Sequence, residues 1–177
     1  MKRADLEHIL RASKGTTGEE HFIIIGSQSV LGKHPDAPRE LRHSMELDIY
    51  PRDRPELSDT IEGSMGRYSQ FDQTFGYHAD GVGPETALLP AGWESRLVPV
   101  CNDNTGGATG WCLAPCDLAI AKLKAARPKD FTFVRAMLRH HLIRPAEIER
   151  LILTFADAAV RDHLTAQLHL CRAGEDA

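Results

Sequence analysis

Two segments, His21-Phe22-Ile23-Ile24-Ile25-Gly26-Ser27 and Ser44-Met45-Glu46-Leu47-Asp48-Ile49-Tyr50, decide how the chain folds. The first is a β-branched run that ends in Gly-Ser, which predicts a buried strand closing in a tight turn. The second alternates: Met45, Leu47 and Ile49 fall on one face of an extended strand, and Ser44, Glu46 and Asp48 on the other. Carboxylates at i and i+2 project from the same face, roughly 7 Å apart along the backbone, and hard divalent cations take oxygen ligands of this kind. Where the first strand passes into a short helix over 28–32, the Gly26-Ser27 turn offers backbone N–H groups to an anion such as a phosphate. Alone, Glu-Leu-Asp also suits a strand with one solvated face, and Gly-Ser an ordinary turn. Their combination is more specific than either.

Working outward, Leu6, Ile9, Leu10 and Ala12 recur close to helical spacing and predict a helix over 4–13. Pro35 and Pro38 mark 33–38 as loop, Pro51 is expected to stop the second strand, and a short helix is expected over 57–61. Residues 63–73 read as loop or irregular helix. Three further strands are predicted over 75–82, 95–101 and 110–113. From Pro115 the period changes from two to 3.6. Pro115, Pro128 and Pro145 are each followed two residues later by an acid (Asp117, Asp130, Glu147), the pattern of a first helical turn with a carboxylate against the helix dipole. Helices are predicted over 115–126, 128–142 and 145–157, with a fourth running to about 170. The expected fold class is α/β (α+β), a mixed sheet with helices followed by a helical C-terminal part. The expected division is a 1–127 core with a 128–177 helical part packed on it.

Composition bounds the function. The chain has 177 residues, 42% hydrophobic and 26% charged, which suits a chain with a packed core rather than a disordered one. With 21 Lys+Arg against 25 Asp+Glu the net charge is -4, so any contact with nucleic acid must come from a local cluster. Met1 to His8 leads into no apolar stretch, and no run of about 18 apolar residues is present, so the expected location is cytoplasmic, with no membrane partner. Four cysteines (Cys101, Cys112, Cys116, Cys171) are expected to be reduced thiols. Cys112 and Cys116 have a spacing that zinc sites allow, but no second pair at ligand spacing follows; His140 and His141 are adjacent on a predicted helix and point about 100° apart.

Gly26-Ser27 followed by Glu46-Leu47-Asp48 resembles the nucleotidyltransferase superfamily, in which a strand, a Gly-Ser or Gly-Gly turn and a short helix precede a second strand bearing an acid-x-acid pair. The first acid here is Glu rather than the usual Asp. Gly26 and Asp48 are 22 residues apart, more than in minimal members, and the surplus falls in the Pro-containing stretch 33–43. On the predicted helix, Lys122 lies between Leu118 and Ala126, on a small and apolar face, whereas Lys124 points about 200° away. A lysine so placed also has an ordinary role, with its stem running over the core to reach water or a surface acid. The order Lys122, Arg127, Lys129, Asp130 is similar to the AbiEii-like nucleotidyltransferases, where the lysine and the aspartate belong to the active site. Phe75-Gly76-Tyr77 and the stretch from Asp80 to Thr86 extend the likeness to an uncharacterised bacterial family of the superfamily, over about 20–140.

The resemblance implies a metal-dependent enzyme that moves a nucleoside monophosphate from a nucleoside triphosphate to a hydroxyl of RNA, protein or a small molecule, in a toxin-like role. It implies Glu46, Asp48 and Asp80 as ligands of Mg²⁺ (or Mn²⁺), with Glu85 as the next choice for the third carboxylate. Asp80 equally suits an Asp-Gly turn. Gly26, Ser27 and Lys122 would bind the nucleotide, and Lys122 and Asp130 would be the catalytic pair. The implied partners are a nucleoside triphosphate, an RNA or protein acceptor, and a toxin–antitoxin partner. The alternative is a catalytically degenerate fold that acts as a binding or antitoxin-type partner protein.

Overall fold

The computed structural model describes residues 1–173. Its elements are α1 (Arg3–Thr17), β1 (His21–Ile24), α2 (Val30–Lys33), β2 (Glu46–Pro51), α3 (Ser58–Met65), α4 (Gln70–Phe75), β3 (His78–Gly81), β4 (Val98–Val100) and β5 (Thr109–Cys112). The helices α5 (Pro115–Ala125), α6 (Pro128–Arg139), α7 (Pro145–Ile152) and α8 (Ala158–Ala173) follow. This is the mixed α/β fold with a helical C-terminal part that the sequence predicts. The chain forms two compact units, which do not follow a single cut in the sequence: one from Met1–Thr86 and Leu97–Leu113, the other from Ala87–Arg96 and the chain from Ala114 onward.

The first unit is built on one five-stranded sheet of order β3-β2-β1-β5-β4. β1 pairs antiparallel with β2 and parallel with β5, while β2 pairs parallel with β3, and β4 antiparallel with β5. Alternation gives the faces separate roles. Phe22, Ile24, Leu47, Ile49 and Ala79 are fully buried on one face. Over that face, Leu10 of α1 lies against Gly110 of β5, Gly32 of α2 against Cys112, and Ser58 of α3 against Gly81. A methyl on Gly81 would lie 2.1 Å from the Ser58 carbonyl oxygen, so only glycine lets α3 come this near the edge strand. The opposite face carries Glu46, Asp48, His78 and Asp80, on adjacent strands.

The second unit is helical. α5 packs on α6, α7 and α8 through Leu118, Ile120 and Leu123, with Val134, Met137, Ile148, Leu164 and Leu168 also buried. Asp117, in the first turn of α5, is fully buried and takes a two-pronged contact from Arg96, with Nη2 to Oδ1 at 2.7 Å and Nε to Oδ2 at 2.9 Å. A fork of this kind is the strong form of a carboxylate–guanidinium pair.

Some expected boundaries move. Residues 75–77 are not strand: Ser69 caps α4 by accepting from the Asp72 N–H, and Gly76, at φ +73°, ends it in the left-handed region. These local hydrogen bonds outweigh the β propensity of Phe75 and Tyr77. The rings instead gather around His8, whose Nδ1 lies 2.7 Å from the Tyr77 hydroxyl. Met45 precedes β2 and is exposed rather than buried with Leu47 and Ile49. Pro51 belongs to β2 instead of stopping it. The Arg52 N–H donates to the His21 carbonyl, so Pro51 and Phe22 form a pair without hydrogen bonds, and the N–H that proline lacks would face past the end of β3. The helix expected over 145–157 ends at Ile152.

Leu47→Asp places an unpaired carboxylate at a fully buried position. It costs several kcal/mol, comparable to a domain's whole margin of roughly 5–15 kcal/mol, so circular dichroism should find the first unit unfolded at room temperature.

Candidate functional site

The sheet face opposite α1, α2 and α3 gathers the carboxylates. In the parallel register of β2 and β3, Asp48 stands beside Asp80 and Glu46 beside His78. Register partners on adjacent strands share a face at a spacing of about 4.8 Å. β1 brings the Gly26-Ser27 turn to the same place, because the Ile25 N–H donates to the Asp48 carbonyl at 3.2 Å and continues the β1–β2 ladder. The turn then passes so close to Asp48 that a methyl on Gly26 would fall 1.4 Å from Asp48 Oδ2. Only a hydrogen fits there. Gly26, Asp48 and Asp80 are thus brought together, with Glu46 on the same face two residues before Asp48. Glu85 is exposed, in the turn of residues 84–86 beyond β3.

Ser27 opens a single 3-10 turn, Ser27–Ser29, closed by the Ser29 N–H on the Gly26 carbonyl at 3.0 Å. The first amides of such a turn have no partner within it. Gln28 and Ser29 are buried here, and Gln28 Oε1 and Ser29 Oγ have no hydrogen-bond partner. Nothing in the local pattern singles them out, since a polar pair after Gly-Ser also suits an exposed turn.

Glu62 of α3 is a further carboxylate that sequence reasoning missed. Its Oε2 accepts from the Gly81 N–H at 2.9 Å, and it lies near Asp80. Burial first, and then the like charge of Glu62, raise the Asp80 carboxyl above the ordinary range. The oxygen donors of this face suit a hard cation, whose charge would relieve that crowding. Among the described residues no group of three or more His, Cys, Asp or Glu is arranged to hold a metal ion by itself. Mg²⁺ sites that serve nucleotides are commonly made of one or two carboxylates with the remaining ligands from phosphates and water. Asp48 and Asp80 match that description.

In the second unit, Lys122 and Asp130 meet. Lys122 Nζ lies 3.4 Å from Asp130 Oδ1 and 5.5 Å from the centre of the Phe133 ring, while Lys124 is exposed. Asp130 is buried at the first turn of α6, where Arg127 donates to its carboxylate from Nε at 2.7 Å and from the backbone N–H at 3.3 Å. Burial pushes the Asp130 carboxyl up, but the Arg127 hydrogen bond and the Lys122 charge outweigh it and hold the group below the usual carboxylate range. Asp130 therefore caps α6 and fixes the lysine.

Because the folded Asp130 titrates below its unfolded value of about 4, its pairing stabilises fully above that value and is lost as pH falls through the folded one. Asp130→Asn should lower stability by about 1–3 kcal/mol at pH 7, and the gap from wild type should close in acid. Thermal melts between pH 3 and 7 check both. An equal gap at every pH would contradict the paired carboxylate.

No curated protein and no solved structure is significantly similar to the chain. No helix among the described residues is long and apolar enough to cross a membrane. Residues 4–165 match a family model, so the Gly26-Ser27 turn and the carboxylate strand pair lie within a recognised pattern that spans most of the chain. The chain belongs to the family described as nucleotidyltransferase of unknown function (DUF6036).

Proposed function

We propose that the chain transfers a nucleoside monophosphate from a nucleoside triphosphate to a hydroxyl of an RNA or protein acceptor. The observation that carries this reading is the side-by-side register of Asp48 and Asp80, with the Gly26 backbone pressed against the Asp48 carboxylate. Asp48 and Asp80, with Glu46 next to them, would hold Mg²⁺ or Mn²⁺. Such a cation, when bound, neutralises triphosphate charge and favours the ionised acceptor hydroxyl. The chain's own part is to orient. Gly26 leaves room for the Asp48 carboxylate beside the turn, and Ser27 with the first amides of its turn supplies donors for the triphosphate oxygens. In the transfer, the acceptor oxygen bonds to the α-phosphorus, the bond to the bridging oxygen of the β-phosphate breaks, and pyrophosphate leaves with the electron pair. In the second unit, Asp130 holds the Lys122 ammonium in place. The AbiEii-like order of Lys122, Arg127 and Asp130 supports a toxin-type activity.

Glu62 beside Asp80 favours a second reading, in which the face keeps its fold without transfer and the chain serves as a binding or antitoxin-type partner. Calorimetry separates the two: a transferase binds a nucleoside triphosphate in a Mg²⁺-dependent way, and a degenerate fold shows little Mg²⁺ dependence.

The direct test is incubation with each labelled nucleoside triphosphate, Mg²⁺ or Mn²⁺, and total RNA or protein. Asp48→Asn should reduce label transfer by at least about a hundredfold, since losing even an outer partner of a metal site costs about 10–100-fold. Its melting temperature should hold or rise slightly, because a charge leaves a crowded acidic face. Gly26→Ala should also suppress transfer, because its methyl occupies the place of the Asp48 carboxylate. Full activity in Asp48→Asn would remove the metal-site reading.

A further inference from the structure

The second unit contains a cavity of about 600 Å³ at the turn between α6 and α7. Arg135, Arg139, His141 and Arg144 line it, together with Leu138 and Ile143. No carboxylate lines it among the described residues. For a chain with a net charge of -4, this is a concentrated positive site.

The helix ends make the charge more telling. Arg139, in the last turn of α6, meets the negative end of a helix dipole, where a cation is ordinary. Arg144 is different. It is the N-cap of α7, whose first residue is Pro145, and its side chain makes no capping hydrogen bond. Serine, threonine, aspartate or asparagine usually fills that position, and a cation there faces the positive end of the dipole. Glu147, the acid of the same first turn, has its Oε2 3.5 Å from Cys116 Sγ. Arg135 adds an independent mark: its Nη2 donates to the Leu170 carbonyl at 3.1 Å, but its Nε is buried with no hydrogen-bond partner. A buried donor without a partner is costly, which marks Arg135 as a side chain held at the cavity wall against its own hydrogen-bonding demand.

We propose that this cavity binds the terminal phosphate of a nucleotide. A phosphomonoester carries a charge near -2 at neutral pH and three acceptor oxygens, which suits several guanidinium groups around one cavity better than the single charge of an internal phosphodiester does. A volume of about 600 Å³ lies within the range that holds a small organic ligand, and Leu138 and Ile143 provide an apolar wall for a sugar or base. The phosphate comes either from a free nucleotide or from the 5′ end of an RNA strand. The site uses no residue of the acidic sheet face, so it stands whether or not the transferase reading does.

The test is fluorescence anisotropy with a labelled RNA 10-mer bearing or lacking a 5′-phosphate, alongside calorimetry with AMP and with inorganic phosphate, all in EDTA. The phosphorylated strand or AMP should bind, and raised salt should weaken binding. Arg144→Ala and, separately, Arg139→Ala should each weaken it about tenfold or more, with melting temperatures confirming that both variants are folded. Asp48→Asn should bind as wild type does, which separates this cavity from the sheet face. Tight binding of AMP identifies a free nucleotide as the source; binding only of the phosphorylated strand identifies an RNA end. Equal binding of both strands without AMP binding, no binding of any probe, or binding unchanged by both arginine variants would overturn the proposal.

Discussion

The closeness of Gly26 to Asp48 constrains everything around it in the first unit. A backbone segment can approach a carboxylate this nearly only if it carries no side chain, and the Ile25 N–H to Asp48 carbonyl bond keeps it there. That contact fixes where the turn leaves β1, and so where its amides stand relative to the acidic strand. It also fixes the β1–β2 register, since a slip of one residue would send Leu47 and Ile49 to the acidic face and Asp48 under the helices. Packing and chemistry are therefore set by the same ladder.

Three acids, Asp117, Asp130 and Asp80, differ in how their charge is met. Asp117 and Asp130 are held by arginine, and for Asp130 also by Lys122, so their charge is balanced inside the protein and they serve to fix helix starts. Asp80 has Glu62, another acid, as its neighbour, and burial together with that like charge raises its proton affinity. A balanced acid strengthens a fold. A crowded one is a cost to folding that a bound cation can offset, and such imbalance is a mark of sites that bind charge.

The sheet was legible where local pattern and tertiary demand agreed. The alternation from Glu46 to Ile49 describes a strand buried on one face, and the apolar run from Phe22 to Ile25 one buried on both, so their strands follow from sequence alone. The proline-led helix starts at 115, 128 and 145 were legible because a proline and a nearby acid act within one turn. Residues 75–77 mislead because Ser69, which caps α4, lies well before them in sequence, and Gly76, between the two aromatics, ends the helix in the left-handed region. Asp80 could be nominated from its place on β3, but its level position with Asp48 depends on a strand register that no short window contains. Glu62 and the Arg96–Asp117 pair were invisible for the same reason: their partners lie 19 and 21 residues away, beyond the reach of helical or strand periodicity. The cavity at the α6–α7 turn needs three arginines from two helix ends, which sequence presents only as scattered charges.

The thiols give the molecule a set of internal clocks. Cys112 is fully buried in β5, where burial pushes its thiol up to about 12, and Cys171 is fully buried in α8; Cys101 is exposed. A thiolate-seeking reagent therefore labels Cys101 at once but reaches Cys112 only when the sheet of the first unit opens, and Cys171 only when the helices of the second unit part. Because each unit holds one such shielded sulfur, the two labelling rates report separately on the opening of each, and their ratio reveals whether the two units unfold together or one at a time.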